Sequence, residues 1–292
     1  MSKKPENTAE VVLAEDKKNE LAEVPEGFGY EGYEGGGFEN RTQSDLTLPY
    51  LYVLQTNSPQ CKSKKEGGLG SRAGGMFNTG TDEVYYDDAD EAGYNPLIIV
   101  PVITNHTFVE WTPRTQSGGS SSFVGVHEAT SQIVAKSKEK SQKYGELFTD
   151  SGNELKETFN IYCIIIDEND EYKGFGVLPC ASTKIKPYKS LMTKVSTHLI
   201  STPNGKRNPP LFANRIKVST VSQKNASGDF YNILFSPAKG NLLESLLSTK
   251  NPLFQEALSF KESIQESLLN YAPQGGFSED SSVAVETQAP PF

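Results

Sequence analysis

The chain has 292 residues and a formal net charge of -9, enough length for one large domain or two small ones. Hydrophobic content of 36%, with 25 Gly and 17 Pro, predicts an ordered centre between polar ends. The longest apolar runs, 96–103 and 161–166, fall far short of a membrane span, no apolar core follows the first lysines as in a signal peptide, and Cys61, Cys163 and Cys180 are too few and too scattered for a disulfide framework.

Residues 1–37 carry nine carboxylates against four lysines and close on a Gly-rich run interleaved with Phe28, Tyr30 and Tyr33. That composition predicts a disordered arm, and its net negative charge argues against its resting on DNA. Order is expected from residue 38. Residues 46–54 are apolar and aromatic, and Pro49 restricts them to a first helical turn or an edge strand. A turn at 55–59 leads to a basic loop with Lys62, Lys64 and Lys65, then to the Gly-rich stretch 67–75. Within it Gly68-x-Gly70-x-x-Ala73 imitates a dinucleotide fingerprint. No apolar strand precedes it, and Met76-Phe-Asn-Thr79 reads as extended, so a loop touching phosphate through lysines and backbone N–H groups is the better reading. Asp82, Glu83, Asp87, Asp88, Asp90 and Glu91 make an acidic loop without EF-hand spacing.

Residues 97–111 predict a long strand, with Pro101 marking an edge or a bulge. A Gly/Ser loop at 117–122 precedes a short strand at 123–126, and the Lys-rich stretch 129–143 fits a helix or a loop. Residues 157–167 and 172–178 predict a hairpin that turns at Asp167-Glu-Asn-Asp170. A helix follows, with Ser182 or Thr183 as cap and Pro187 in its first turn. Ile185, Tyr188, Leu191, Met192, Val195 and Leu199 recur at three- and four-residue intervals and give it one apolar face. Residues 202–210 form a basic loop, 211–222 and 229–235 a second hairpin, and 241–271 two helices broken by Pro252.

Charge singles out residues 172–228, which hold ten Lys and Arg and no Asp or Glu. The remaining 18 Lys and Arg face all 37 carboxylates elsewhere. Cations with no local counter-charge make a positive field that suits a polyanion, unless the fold pairs them with distant carboxylates. Lys184, Lys186, Lys189, Lys194, Lys206, Arg207, Arg215 and Lys217 are the candidate phosphate contacts. Tyr172, Phe175, Tyr188 and Trp111 are the candidate base-stacking rings. Each ring has core packing as its competing role, Tyr188 on the helix's apolar face above all. Catalytic signatures are missing: His106, His127 and His198 stand at no metal-ligand spacing, there is no G-x-S-x-G elbow, and Gly205-Lys206 lacks the rest of a P-loop. A non-catalytic protein without cofactor or metal is expected.

The last residues, from Phe277, include Glu279, Asp280 and Glu286 and finish Pro-Pro-Phe292. They resemble the acidic tips of bacterial and phage single-stranded DNA-binding proteins, though with sparser acid and a Val-Ala-Val insertion. A wider resemblance covers about 37–236. Gly37-Phe-Glu-Asn40, Ser44-Asp-Leu-Thr-Leu-Pro-Tyr-Leu-Tyr-Val-Leu-Gln55, Ser58-Pro-Gln60, Gly75-Met-Phe-Asn78, Val109-Glu-Trp111, Phe123-Val-Gly125, Ser182-Thr183 and Pro210-Leu-Phe-Ala213 are similar to motifs of a bacteriophage single-stranded DNA-binding protein-like family. The resemblance implies a phage protein of an infected bacterial host's cytoplasm that binds single-stranded DNA in replication or recombination. It transfers no residue-level site. The tail residues Glu279, Asp280, Glu286 and Phe292 would then meet replication or recombination proteins.

Together these features predict an α+β fold: a β-rich core, either an OB-like barrel or a strongly twisted antiparallel sheet, with a basic helix and C-terminal helices from 241. The expected organisation is an arm at 1–37, one nucleic-acid-binding domain at 38–272 and an acidic tail at 273–292. Single-stranded DNA is the expected partner, with no membrane. The alternative is a phage structural or assembly protein whose basic surface meets an acidic partner.

Overall fold

The computed structural model describes residues 48–87, 95–113, 121–141, 145–226 and 228–268, without the side chains of 266–268. All lie in the compact unit Leu46–Phe292. The arm at 1–37, the tail with Glu279, Asp280, Glu286 and Phe292, and Asp88, Asp90 and Glu91 of the acidic loop lie outside the described residues.

The architecture is built on β4 (Leu97–Trp111), whose first six residues are buried. That run is Leu-Ile-Ile-Val-Pro-Val, the near-continuous apolar pattern of a strand covered on both faces. β6 (Glu154–Ile166) pairs antiparallel with β4 along nearly its whole length, and the register slips between Pro101 and Ile103. Pro101 has no N–H to give the ladder, so the bulge absorbs it in a central strand. β7 (Tyr172–Ala181) returns beside β6. Their turn is set by Asp167, whose Oδ1 accepts the N–H of Asn169 and of Glu171, each at 2.9 Å. On the other side of β4 comes β10 (Ile216–Asn225), then β11 (Gly228–Pro237); β5 (Phe123–Glu128) pairs with the far end of β4. The sheet order is β11-β10-β4-β6-β7.

Of the OB-like barrel and the antiparallel sheet expected, the antiparallel sheet is the one adopted, and no barrel closes among the described residues. The reason is visible in β10. It pairs with β4 only at Ile216–Val218, and from there β10 and β11 pair only with each other, as a two-stranded ribbon. A small sheet of β1 (Leu51–Val53), β2 (Met76–Asn78) and β3 (Val84–Tyr85) touches both edges of the large one. At one edge the Val177 N–H donates to the Pro49 carbonyl at 2.8 Å. At the other, the Gln55 amide completes the open edge of β11: Nε2 donates to the Tyr231 carbonyl and Oε1 accepts the Tyr231 N–H, both at 2.9 Å.

Helices cover both faces. α1 (Gln132–Lys140) sets Val134 against Phe108 and Leu155. α2 (Ile185–Thr197) buries Tyr188, Leu191 and Val195 among Ile161, Cys163, Ile165 and Leu178. α3 (Pro252–Leu268) buries Leu253 and Ala257 on the opposite face, against Ile98, Val100, Ile164 and Ile166. Pro252 opens this helix rather than breaking a longer one, as its missing N–H allows at a first position. The expected helix at 241–251 is a series of turns. Its carbonyls are drawn away from helical bonding: Ser245 O accepts both the Arg215 N–H (3.0 Å) and Arg215 Nε (3.1 Å), and the Leu247 N–H goes to Ala213 O at 2.7 Å. The dinucleotide lookalike fails as expected, since Gly75 runs straight into β2.

Candidate nucleic-acid interface

The ten cations of 172–228 separate into three groups. Four are paired with carboxylates that all lie outside the segment. Lys173 meets Asp167 at 3.2 Å and Glu171 at 3.4 Å; Lys224 meets Asp229 at 4.0 Å; Arg215 pairs with Asp170 and Lys217 with Asp87. Two of these were candidate phosphate contacts. Arg215 is instead an internal clamp, with Nη2 donating to Glu244 O at 3.0 Å and Leu246 O at 3.3 Å. Lys217 is half-buried and already neutralised.

Lys184 forms the second group alone. It is only 2% exposed, in a single 3-10 turn (Ser182–Lys184) that lies between β7 and α2. Burial holds its ammonium down to about 8. It does not face solvent, and so offers no phosphate contact here. The local reason is the entry to α2. Ser182 sits at φ 49, and the expected side-chain cap is not made. The buried stripe of Tyr188, Leu191 and Val195, continued back by four residues, falls on position 184, so the helical period itself turns Lys184 inward.

The third group is Lys186, Lys189, Lys194, Lys206 and Arg207. All five are exposed, and no carboxylate among the described residues lies within ion-pair distance of any of them. Three stand on the solvent face of α2, opposite its buried stripe. The other two stand on a hairpin not legible in the sequence, β8 (Ile200–Thr202) and β9 (Gly205–Arg207). It turns at Pro203-Asn204, with Gly205 at φ 96, a conformation glycine takes without strain. Asn208 ties this hairpin to the helix: its Nδ2 donates to Val195 O (2.8 Å), Ser196 O (3.1 Å) and His198 O (2.9 Å). The same amide supplies donors to carbonyls left open at the C-terminal end of α2. Helix and hairpin therefore present one basic surface.

The candidate rings do not gather on that surface. Tyr188 is in the core, its ring stacked 4.6 Å from Phe159. Trp111 is 8% exposed and meets Phe123 edge-on at 5.8 Å. Phe175 packs against Phe260 of α3 at 5.3 Å, so it faces away from α2. Tyr172 is 48% exposed, but on that same far face. It lines a shallow depression of about 260 Å³ with Phe175, Phe260 and Glu256. One ring that the sequence did not single out does lie beside the basic surface. Lys189 lies over Phe159 at 5.3 Å, and Phe159 stacks on His106 at 4.2 Å. Alternation along β6 carried no sign that Phe159 would lie under a lysine of another element.

Among the described residues, no group of three or more His, Cys, Asp or Glu side chains is placed to hold a metal ion. No described helix is long and apolar enough to cross a membrane. A family model described as "Pam3 phage gp34-like protein" matches residues 16–269. No curated protein matches, and no solved structure matches.

Proposed function

The chain belongs to the Pam3 phage gp34-like family, and from that premise we propose that it is a bacteriophage single-stranded DNA-binding protein acting in replication or recombination. The supporting observation is the set of five exposed cations on α2 and its attached hairpin, without a carboxylate in ion-pair reach among the described residues. A surface of this kind meets a phosphate backbone without reading bases, which is what sequence-independent binding needs. Lys186, Lys189, Lys194, Lys206 and Arg207 are the proposed phosphate contacts. The acidic residues Glu279, Asp280 and Glu286 would compete with DNA for them, and with Phe292 would serve partner proteins once DNA is bound.

The test is fluorescence anisotropy of a labelled oligo-dT beside a duplex of equal length. Tighter binding of the single strand, strengthened when 273–292 are removed, is the expected result. Absence of binding to either nucleic acid at low salt, in both the full and the shortened chain, would contradict the proposal.

A further inference from the structure

A second basic segment remains that the α2 surface does not absorb. Lys62, Lys64 and Lys65 stand exposed in the loop between β1 and β2. Residues 55–75 contain one carboxylate, Glu66. It is engaged locally: its Oε2 accepts from the Ser63 N–H at 3.2 Å and from the Ser63 hydroxyl at 2.6 Å. The loop's shape is set from within. Gly68 N donates to Ser63 O (3.0 Å), Leu69 N and Ser71 N to Gln60 O (3.2 and 3.0 Å), and Gly70 N to Lys62 O (2.8 Å). A Cβ on Gly68 would fall 2.2 Å from the Lys62 carbonyl oxygen, so only glycine fits there. With these N–H groups occupied, the side chains of the three lysines are what the loop offers a polyanion.

Its location connects it to α2. Tyr231 of β11 is held by Gln55, at the root of the loop, and its ring lies against Gly74, at the loop's other end. Thr220 of β10 also donates its hydroxyl to Gly74 O. The next residue, Asn232, donates its side-chain amide to Thr183 O at 3.3 Å, at the entry to α2. Consecutive residues of one edge strand thus hold the roots of both basic segments.

We infer that Lys62, Lys64 and Lys65 are a second phosphate-contact station, and that a single strand seated on α2 continues across β11 onto this loop. The inference rests on the proposed single-strand binding and deepens it by assigning the strand's path.

The test uses the full chain and oligo-dT of two lengths, at the two ends of the roughly 4–16-nucleotide range of single-strand sites. Two variants are compared with wild type: K62E/K64E/K65E on the loop and K186E/K189E/K194E on α2. The loop variant should bind the short strand as wild type does and lose the extra affinity for the long one. Its salt slope on the long strand should fall by about 2, three contacts at about 0.7 each. A K62Q/K64Q/K65Q variant and a thermal melt guard against misfolding, and should give the same direction with a smaller loss. Should the loop variants keep the wild-type affinity and slope on the long strand while the α2 variant loses both, the path is wrong and the α2 site stands. If wild type binds neither length, the underlying reading fails and takes the path with it.

Discussion

Arg215 and Lys184 carry charge inward, and the reason differs for each. Arg215 spends its guanidinium on Asp170 and on the carbonyls of Glu244, Ser245 and Leu246, so it holds the turns at 241–247 to β10. Lysine cannot reproduce that fork. R215K should therefore lower unfolding free energy by about 1–3 kcal/mol in urea titration, and R215Q, which removes the charge, should leave the salt slope on oligo-dT unchanged. A slope lower by about 0.7 would instead mark Arg215 as a phosphate contact. Lys184 gives a pH signature. Its folded value, about 8, lies below the ordinary 10.5, so between those two pH values the unfolded chain binds more protons than the folded one. Stability contributed by this residue is therefore least below about pH 8 and rises with pH up to about 10.5. Compared with wild type, K184M should lose that alkaline rise in denaturant titrations run at pH 7 and 10. An identical pH profile in both proteins would contradict the burial argument.

At the scale of elements, the parts set by hydrophobic periodicity were legible and the parts set by side-chain capture of carbonyls were not. The continuous apolar run predicts β4 with its full bounds, and the three- and four-residue spacing predicts α2 with its buried Tyr188, Leu191 and Val195, while Leu199 falls beyond the helix and is exposed. The β8–β9 hairpin reads as a loop in the sequence because its strands are only three residues each and its pattern is polar. The helix expected at 241–251 failed because Arg215, thirty residues away, competes for its carbonyls. The candidate rings are scattered over the fold for a related reason. Aromatic residues in strands look alike whether they end in core or at the surface, and the face each takes depends on which helix covers it. Asn208 is the element-scale determinant of the basic surface. N208A should cost about 0.5–1.5 kcal/mol of stability and weaken oligo-dT binding several-fold without removing a charge. Unchanged affinity in N208A would mean that the hairpin's placement against α2 does not matter.

For the whole molecule, the central fact is how the fold sorts its charge. A segment without a single carboxylate could have been neutralised by the rest of a chain that carries net -9. For Lys173, Arg215, Lys217 and Lys224 it is. Lys184 is buried, and the five cations left over are those on α2 and the hairpin Asn208 binds to it, a surface drawn from 22 residues of sequence, 186–207. This sorting was outside the reach of sequence, because the pairing carboxylates come from the β6–β7 turn, from Asp87 after β3 and from the ribbon tip. The measurement that tests the account most directly is the salt dependence of oligo-dT binding for wild type and for K186E/K189E/K194E/K206E/R207E. Five phosphate contacts at about 0.7 each should give wild type a log–log slope steeper than the variant's by about 3 or more, with the variant's affinity largely gone. Equal slopes and equal affinities would contradict the assignment of this surface to a nucleic-acid backbone.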